Sequence, residues 1–126
     1  LFRNALYRIV LTDEPMIGYC RLIWNQHVVE WSDLDPISQI EGMRGLSATE
    51  SLLRSLLKPT KMNLASFGNK VAHLHWHIIP RFADDAFFPE PVWGQKQRTE
   101  VGRRLPDHFM DHMRNGLHRI LENPSK

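Results

Sequence analysis

Hydrophobic and polar residues alternate along several short segments of the chain, a pattern that predicts β-strands with one buried face. The connections between these segments contain turn residues: Thr12-Asp13-Glu14-Pro15 follows the first, and Gly18 precedes the second. The first two segments therefore predict a hairpin, and Pro80 predicts the end of the last one. The alternating segments are residues 6–11, 19–24, 63–67 and 73–80.

Two other segments repeat apolar residues every three or four positions, which predicts helices. Asp35 and Pro36 supply an N-cap and a proline at the first helical position, and Lys58-Pro59 predicts the end of this helix. A second helix is predicted to begin near Pro106 or Asp107. Its apolar stripe consists of Phe109, Met113, Leu117, Ile120 and Leu121.

The length of 126 residues predicts one domain with a single core. We assign residues 1–95 to the main domain and residues 96–126 to a C-terminal linker and helix within the same globular unit. Basic residues cluster in the linker without interleaved aromatics, which indicates a solvated segment rather than a nucleic-acid surface. These basic residues are Lys96, Arg98, Arg103 and Arg104.

The composition is 42% hydrophobic and 24% charged, which is typical of a globular chain in water. No apolar run approaches the length of about 20 residues that spans a bilayer, so no membrane partner is expected. A net charge of +2 gives no reason to expect nucleic acid as a partner. The single Cys20 excludes an internal disulfide and favours a reducing, cytoplasmic location.

Residues 73–80 read His-Leu-His-Trp-His-Ile-Ile-Pro, with a histidine at every second position. Because side chains on a strand alternate between its faces, His73, His75 and His77 are expected on one face and the apolar residues between them on the other. Neighbouring imidazoles would then lie roughly 6.5–7 Å apart. This spacing would allow two of the rings to act on one phosphate or one metal ion.

Three interpretations of the histidines follow from the residues themselves. A merely structural polar face is costly, because three half-buried titratable rings need hydrogen-bond partners. A metal site could use two of them, with His27 or Asp13 as a further ligand, but no neighbouring acidic residue would orient the rings. In the third interpretation, one neutral imidazole attacks phosphorus while its neighbour contacts the phosphate oxygens.

The motif His73–Ile79 resembles the His-φ-His-φ-His-φ-φ signature of the histidine triad (HIT) superfamily of nucleotide hydrolases and transferases. The resemblance covers approximately residues 4–93. Residues 18–27 are similar to the family's Gly-His-x-Leu-Val-Ile-Pro-x-x-His stretch. Asn69-Lys70-Val71 also fits, and Pro80-Arg81 is most similar to the branch related to the fragile histidine triad protein.

The resemblance implies a role for each histidine of the motif. His75 would be the nucleophile that attacks the α-phosphate and forms a nucleotidyl-imidazole intermediate. His77 would contact a phosphate oxygen and assist the leaving group, and His73 would support His75 from behind. In relatives, segments after the triad reach toward the active site, which directs attention to Trp93 in its proline-rich loop.

The resemblance also implies nucleotide contacts outside the triad. Asp13 matches the position that holds the ribose hydroxyls, and Asn69 and Lys70 would offer phosphate contacts. Tyr19 replaces a fourth histidine that relatives place after the glycine of the second strand. A phenol has a reference pKa of about 10, so Tyr19 can donate a hydrogen bond but cannot shuttle a proton as an imidazole does.

The patterns and the resemblance together predict an α+β, HIT-like fold. We expect a mainly antiparallel sheet of five strands, one helix packed on it and an additional C-terminal helix. The resemblance further implies a homodimer, with an exposed sheet edge or an apolar helix face as the contact.

The expected activity is hydrolysis or transfer at the α-phosphate of a nucleotide conjugate, such as a nucleoside phosphoramidate or a dinucleoside polyphosphate. No cofactor is required for the covalent step, although a divalent metal ion can accompany a polyphosphate substrate. Two alternatives stay open at this point. One is a metal-dependent hydrolase that uses the strand histidines as ligands, and the other is a non-catalytic nucleotide-binding module in which Tyr19 weakens catalysis.

Overall fold

A computed structural model describes residues 1–122 of the chain. It contains a five-stranded sheet with the strand order β1-β2-β3-β5-β4, in which all paired strands are antiparallel. The predicted α+β fold class, with one helix packed on the sheet and another at the C-terminus, is therefore confirmed. The elements are β1 (Phe2–Arg3), β2 (Tyr7–Leu11), β3 (Cys20–Trp24), a short 3₁₀ helix (Trp31–Asp33), α1 (Pro36–Leu57), β4 (Lys61–Ala65), β5 (His75–Arg81) and α2 (Phe109–Glu122).

Helix α1 begins and ends at the residues that the sequence indicates. The Asp35 carboxylate accepts a hydrogen bond from the Ser38 backbone N–H at 2.7 Å, and Pro36 occupies the first turn. Lys58 ends the helix in the left-handed conformation, with φ of 50°. At Gly45, a Cβ would lie only 2.7 Å from the Tyr7 ring, so this glycine lets the helix backbone approach the sheet.

Both helices cover the same face of the sheet. The strands contribute Ile9, Cys20, Leu22 and Ile78 to the core, and α2 contributes its predicted apolar stripe, of which Ile120 is only partly buried. The Arg44 guanidinium of α1 also donates a hydrogen bond to the Ile120 carbonyl at 3.2 Å. No described helix is long and apolar enough to cross a membrane.

The opposite face of the central strands is free of helices and holds the polar side chains. Because Cys20 and Leu22 point into the core, Arg21 and Ile23 point to this open face. The register pairs Arg21 with His77 and Ile23 with His75. The sheet therefore places two histidines of the motif on its open face.

Strand β5 differs from the prediction at both ends. It begins at His75, so His73 lies before the strand, and it continues through Pro80 to Arg81. Pairing between β3 and β5 stops at Cys20 and Ile78. Pro80 lies beyond that point, where no residue of β3 could accept a hydrogen bond from a backbone N–H. The missing N–H of Pro80 therefore does not end the strand.

The connection before β5 is longer than the predicted tight turn. Strand β4 begins and ends two residues earlier than expected, and residues 66–74 join it to β5. The last residue of this connection still forms backbone hydrogen bonds with the end of β3 and the segment after it. The Leu74 N–H donates to the Val28 carbonyl at 2.8 Å, and the Trp24 N–H donates to the Leu74 carbonyl at 3.1 Å.

The loop after β5 is fixed by a buried ion pair. The Arg81 guanidinium donates to both oxygens of the Asp85 carboxylate, at 2.9 and 3.0 Å. Burial alone would raise the pKa of Asp85, but the hydrogen bonds from Arg81 and from three backbone N–H groups lower this pKa to about 2. The backbone donors are those of Phe82, Phe87 and Phe88.

The four basic residues of the predicted linker are exposed, and two of them also contact the domain. One Arg98 nitrogen donates to the carbonyl oxygens of Asp85 and Phe88, each at 2.6 Å. Arg103 forms an ion pair with Asp84 at 2.6 Å and stacks on the Phe82 ring at 4.1 Å from its centroid. Both arginines use partners that are distant in sequence, so composition alone does not show these contacts.

Candidate active site

His75 and His77 lie side by side on the open face of β5. Their ring centroids are 5.0 Å apart and their planes are inclined by 76°. The prediction that these two histidines share a face is confirmed by their register opposite Ile23 and Arg21. Their rings are close enough to contact one substrate group from two directions.

The orientation of His75 is set by the backbone of the preceding histidine. Its Nδ1 lies 2.6 Å from the carbonyl oxygen of His73. A carbonyl only accepts hydrogen bonds, so Nδ1 bears the proton and the lone pair of a neutral ring lies on Nε2. The geometry therefore presents Nε2 of His75 as the available nucleophile.

His73 is fixed in turn by two contacts. Its Nε2 lies 2.6 Å from the Trp24 carbonyl, which requires the proton on Nε2 and leaves Nδ1 as an acceptor. The Nδ1 of His27 lies 3.0 Å from this atom and donates to it. The side chain of His73 thus holds the peptide whose carbonyl orients His75.

His27, which the sequence suggested only as a possible metal ligand or as a residue of a surface or an interface, contacts His73. It is exposed, but its ring stacks near that of His73, with centroids 5.2 Å apart. The sequence did contain one indication of this role, because His27 matches the last histidine of the family's Gly-His-x-Leu-Val-Ile-Pro-x-x-His stretch. The pattern alone gave no partner, because the contact crosses from the segment after β3 to the segment before β5.

His77 is buried, with 8% of its surface exposed. Its pKa is lowered to about 4, mainly because burial disfavours the charged ring, and electrostatic interactions with His75 and Arg21 act in the same direction. The ring is therefore neutral at pH 7. A neutral imidazole can still donate one hydrogen bond to a substrate without adding charge to the site.

Tyr19 determines which nitrogen of His77 bears the proton. Its hydroxyl oxygen lies 2.8 Å from His77 Nδ1, and burial raises the pKa of Tyr19, so the phenol keeps its proton. Within residues 1–122 this hydroxyl has no other acceptor, and it donates to Nδ1. The proton of His77 then lies on Nε2, the opposite arrangement from that of His75.

Aromatic side chains border the imidazoles. The Trp93 ring lies 5.0 Å from His77 in an edge-on arrangement, and Phe67 lies 4.9 Å from Trp93. Both are large apolar residues with exposed surface, 50% for Trp93 and 59% for Phe67. The loop after β5 therefore reaches the site through Trp93, as the resemblance implies.

The other predicted site residues lie in two exposed loops. Asp13 follows Thr12, whose hydroxyl donates to the Tyr19 carbonyl at 2.9 Å, so Asp13 is one residue from a contact with the site. Asn69 and Lys70 lie in the connection of residues 66–74, where Ser66 donates to the His75 carbonyl at 2.7 Å. The structure brings together His73, His75, His77 and Tyr19, whereas the contacts expected of the three loop residues stay predictions.

Arg21 is a charged residue of this face that the sequence analysis did not select. It lies opposite His77 in the register, and its guanidinium carbon is 5.6 Å from the Tyr19 ring centroid. One of its nitrogens contacts the Glu14 carboxylate at 3.2 Å. Alternation indicated its face, but the pairing of the strands was needed to place it beside His77.

Within residues 1–122, no three His, Cys, Asp or Glu side chains are grouped so that they could hold a metal ion. The Nδ1 atoms of His73, His75 and His77 all have hydrogen-bond partners within the chain. The geometry thus shows the rings held by protein groups.

The antiparallel sheet and the two differently oriented imidazoles define a histidine triad protein. The family model of the HIT domain matches residues 1–84, and the chain belongs to this family. The HIT family consists of nucleotide-binding hydrolases and transferases. No curated protein matches the chain.

Solved structures of histidine triad proteins are similar to this one. A protein from Bradyrhizobium japonicum is 28% identical with a TM-score of 0.70, and the match covers 93% of this chain and 85% of that one. A protein from Marinobacter aquaeolei is 24% identical with a TM-score of 0.69, covering 95% and 85%. A Zn-bound histidine triad family protein from Mycobacterium smegmatis is 19% identical with a TM-score of 0.58, covering 99% and 86%.

Proposed function

We propose that the protein hydrolyses or transfers the nucleotidyl group of nucleotide conjugates through a covalent intermediate on His75. The observation that supports this most directly is the 2.6 Å contact between His75 Nδ1 and the His73 carbonyl. It fixes the proton on Nδ1 and leaves the Nε2 lone pair directed away from the backbone. In its neutral form, such a ring attacks through Nε2 without the help of a separate base.

In the first step, Nε2 of His75 bonds to the α-phosphorus, and the bond from phosphorus to the leaving oxygen or nitrogen breaks. The leaving atom takes the electron pair of that bond and acquires its proton from water. In the second step, water attacks phosphorus and loses a proton to the solvent, the P–N bond to His75 breaks and its electron pair returns to Nε2. In a transfer reaction, another acceptor replaces this water.

His77 assists the first step by hydrogen bonding. Since Tyr19 donates to its Nδ1, its Nε2–H can donate to a phosphate oxygen or to the leaving atom. The low pKa of His77 keeps the ring neutral, so it stabilises developing negative charge through a positioned dipole. This geometry supports the role that the family resemblance implies for His77.

The loops supply the nucleotide contacts in this proposal. Asp13 would hold the ribose hydroxyls, and Asn69 and Lys70 would contact phosphate oxygens. Their exposure in loops that adjoin Tyr19 and His75 supports these roles. The substrate class that fits is a nucleoside phosphoramidate or a dinucleoside polyphosphate.

We also propose that the covalent step requires no metal ion, because a neutral imidazole is itself a nucleophile near pH 7. A divalent ion can accompany a polyphosphate substrate by neutralising part of its charge. Chelation with EDTA should therefore leave turnover of a phosphoramidate unchanged. Loss of that turnover, with recovery on adding Zn²⁺, would favour the metal-dependent alternative.

The test of the proposal is a covalent labelling experiment. Incubation with nucleoside phosphoramidates and dinucleoside polyphosphates that contain a labelled α-phosphate should give nucleotide products and an acid-labile nucleotidyl-protein. His75→Ala should abolish both, because the attacking nitrogen is removed. His112→Ala serves as the matched control, since His112 is an exposed histidine of α2.

Three results would contradict the proposal. Persistent labelling of His75→Ala would reject His75 as the nucleophile. Nucleotide binding without turnover or adduct would favour the non-catalytic module. Absence of both binding and turnover across the panel would reject nucleotide conjugates as the substrate class.

A further inference from the structure

We propose that Arg21 binds the phosphate group next to the α-phosphate, on the leaving side of the substrate, and releases Glu14 when it does so. This assignment rests on the proposed function of the same site. It adds a cationic group to the site and makes polyphosphate conjugates the preferred substrate class.

The position of Arg21 is the first support. It is the register partner of His77 on the open face, and its guanidinium lies 5.6 Å from the ring centroid of Tyr19. In the proposed mechanism His77 can donate to the leaving atom, and Tyr19 orients His77 for that contact. A side chain beside both of them is placed where the next phosphate of the leaving group would lie.

The second support is the incomplete hydrogen bonding of Arg21. Its Nε is buried and has no partner within residues 1–122. Buried donors of this kind ordinarily have an acceptor, and the planar fork of a guanidinium fits two oxygens of a phosphate. A bound phosphate would therefore satisfy a group that the protein alone leaves unsatisfied.

The present partner of Arg21 is suited to exchange. Glu14 contacts it at 3.2 Å, and the two side chains are 34% and 39% exposed. Ion pairs at such exposure contribute little to stability and break at small cost. Glu14 thus offsets the charge of Arg21 in the free protein but does not prevent Arg21 from binding a phosphate instead.

The third support is the charge of the imidazoles. His77 is neutral at pH 7 because its pKa is about 4, so it adds a hydrogen bond but no positive charge. A polyphosphate leaving group bears several negative charges. Arg21 supplies the permanent positive charge beside the leaving group that the neutral His77 does not supply.

The experiment measures dissociation constants of AMP, ADP and ATP by calorimetry, with the full chain and matched variants. Arg21→Gln should weaken binding of ADP and ATP by about tenfold or more, the effect of losing a charged hydrogen bond, and that of AMP by less than about threefold. Arg21→Lys should fall between, because it keeps the charge but loses the fork. Arg54→Gln, an exposed arginine of α1, should match the wild type.

Glu14→Gln tests whether Arg21 exchanges Glu14 for a phosphate, and it should change the affinity for ADP in the opposite direction from Arg21→Gln. Removing the competing carboxylate should tighten ADP binding by about two- to fivefold, the range expected for an exposed ion pair. Weaker binding in Glu14→Gln would overturn the exchange, because Glu14 would then be needed to position Arg21. Thermal unfolding of each variant confirms that the fold is intact, and Arg21→Lys keeps the test valid if Arg21→Gln does not fold.

Failure of this inference can be distinguished from failure of the proposed function. If the wild type binds ADP and labels His75 while Arg21→Gln binds ADP equally well, only the assignment of Arg21 is wrong. An equal loss for AMP and ADP would reject the leaving-side position. If the wild type binds none of the three nucleotides, the proposed function and the assignment both fail.

Discussion

The two histidines of β5 have the same chemistry but opposite proton positions. A backbone carbonyl at 2.6 Å holds the proton of His75 on Nδ1, whereas the Tyr19 hydroxyl at 2.8 Å holds that of His77 on Nε2. One ring thus presents a lone pair and the other presents an N–H. Their neighbours, rather than their residue type, separate the proposed roles of nucleophile and hydrogen-bond donor.

At this scale we predict that Tyr19→Phe slows only the reactions that need help at the leaving atom. Without the hydroxyl, His77 Nδ1 loses its donor, and the ring no longer keeps its proton on Nε2. Turnover of a conjugate with a poor leaving group, such as an alkylamine, should fall by about tenfold, the effect of one lost hydrogen bond. Turnover of a nitrophenyl ester, whose leaving group is stable as an anion, should change little. Steady-state kinetics on both substrates provide the measurement.

Tyr7→Phe is the matched control, because Tyr7 lies in the core on the other face of the sheet. It should leave the ratio of the two rates unchanged. Equal slowing of both substrates by Tyr19→Phe would contradict the tautomer argument. Restoration of the ratio by Tyr19→His would show that an imidazole can replace the phenol at this position.

Individual residues of the site could be predicted only where the contact is local. Alternation along one strand is sufficient to place His75 and His77 on one face. The contact of His27 with His73 and the pairing of Arg21 opposite His77 depend on how β3 and β5 align, which no short pattern in this chain specifies. The sequence therefore indicated the proposed reacting histidines better than it indicated the residues that position them.

Among the elements, predictions succeeded where a boundary has a local cause. Asp35 and Pro36 start α1 because the carboxylate caps a free N–H within the same turn. The prediction that β5 ends at Pro80 was wrong. The missing N–H of a proline disrupts a strand only where a partner strand would accept a hydrogen bond from it. That partner is absent beside Pro80, since the pairing with β3 stops at Ile78.

The loop after β5 supports a prediction about stability. Asp85→Ala should lower the free energy of unfolding by about 3–5 kcal/mol, because it leaves the buried Arg81 guanidinium without its carboxylate. The same change removes the acceptor for three backbone N–H groups. Urea unfolding monitored by tryptophan fluorescence gives the free energy, and hydrogen exchange of residues 82–93 reports on the loop.

Asp84→Ala provides a neighbouring control. Its ion pair with Arg103 is about half exposed, so its loss should cost less than about 1 kcal/mol. A similar loss in both variants would mean that the Arg81–Asp85 pair adds nothing beyond a surface contact. Hydrogen exchange that is unchanged in Asp85→Ala would contradict its role in fixing the loop that holds Trp93.

On the scale of the whole molecule, we propose that two copies associate through the outer surface of α1 and the edge strand β4. This surface exposes large apolar side chains that the described part of the chain does not cover. Ile37 is 74% exposed, Ile40 60%, Met43 42% and Leu64 41%. A closed dimer would bury this patch and the free edge of β4 together.

The expected result is a dimer for the wild type and a shift toward monomer for Ile40→Glu, because a buried carboxylate without a partner is costly. Sedimentation velocity over a range of concentrations gives the distribution. Val101→Glu is the matched control, since Val101 is 54% exposed and lies outside α1 and β4. A monomeric wild type, or an equal effect of both substitutions, would contradict this interface.

The acceptor that orients His75, the proposed nucleophile, affects how the site tolerates substitutions. It is a backbone carbonyl oxygen, so every amino acid at position 73 retains it, and no substitution there removes it. What such changes can alter is the placement of that peptide, which is anchored through Trp24 and Val28 on the adjoining segment. Mutational sensitivity around His75 should therefore be graded and should extend along the neighbouring backbone, instead of falling on one indispensable partner side chain.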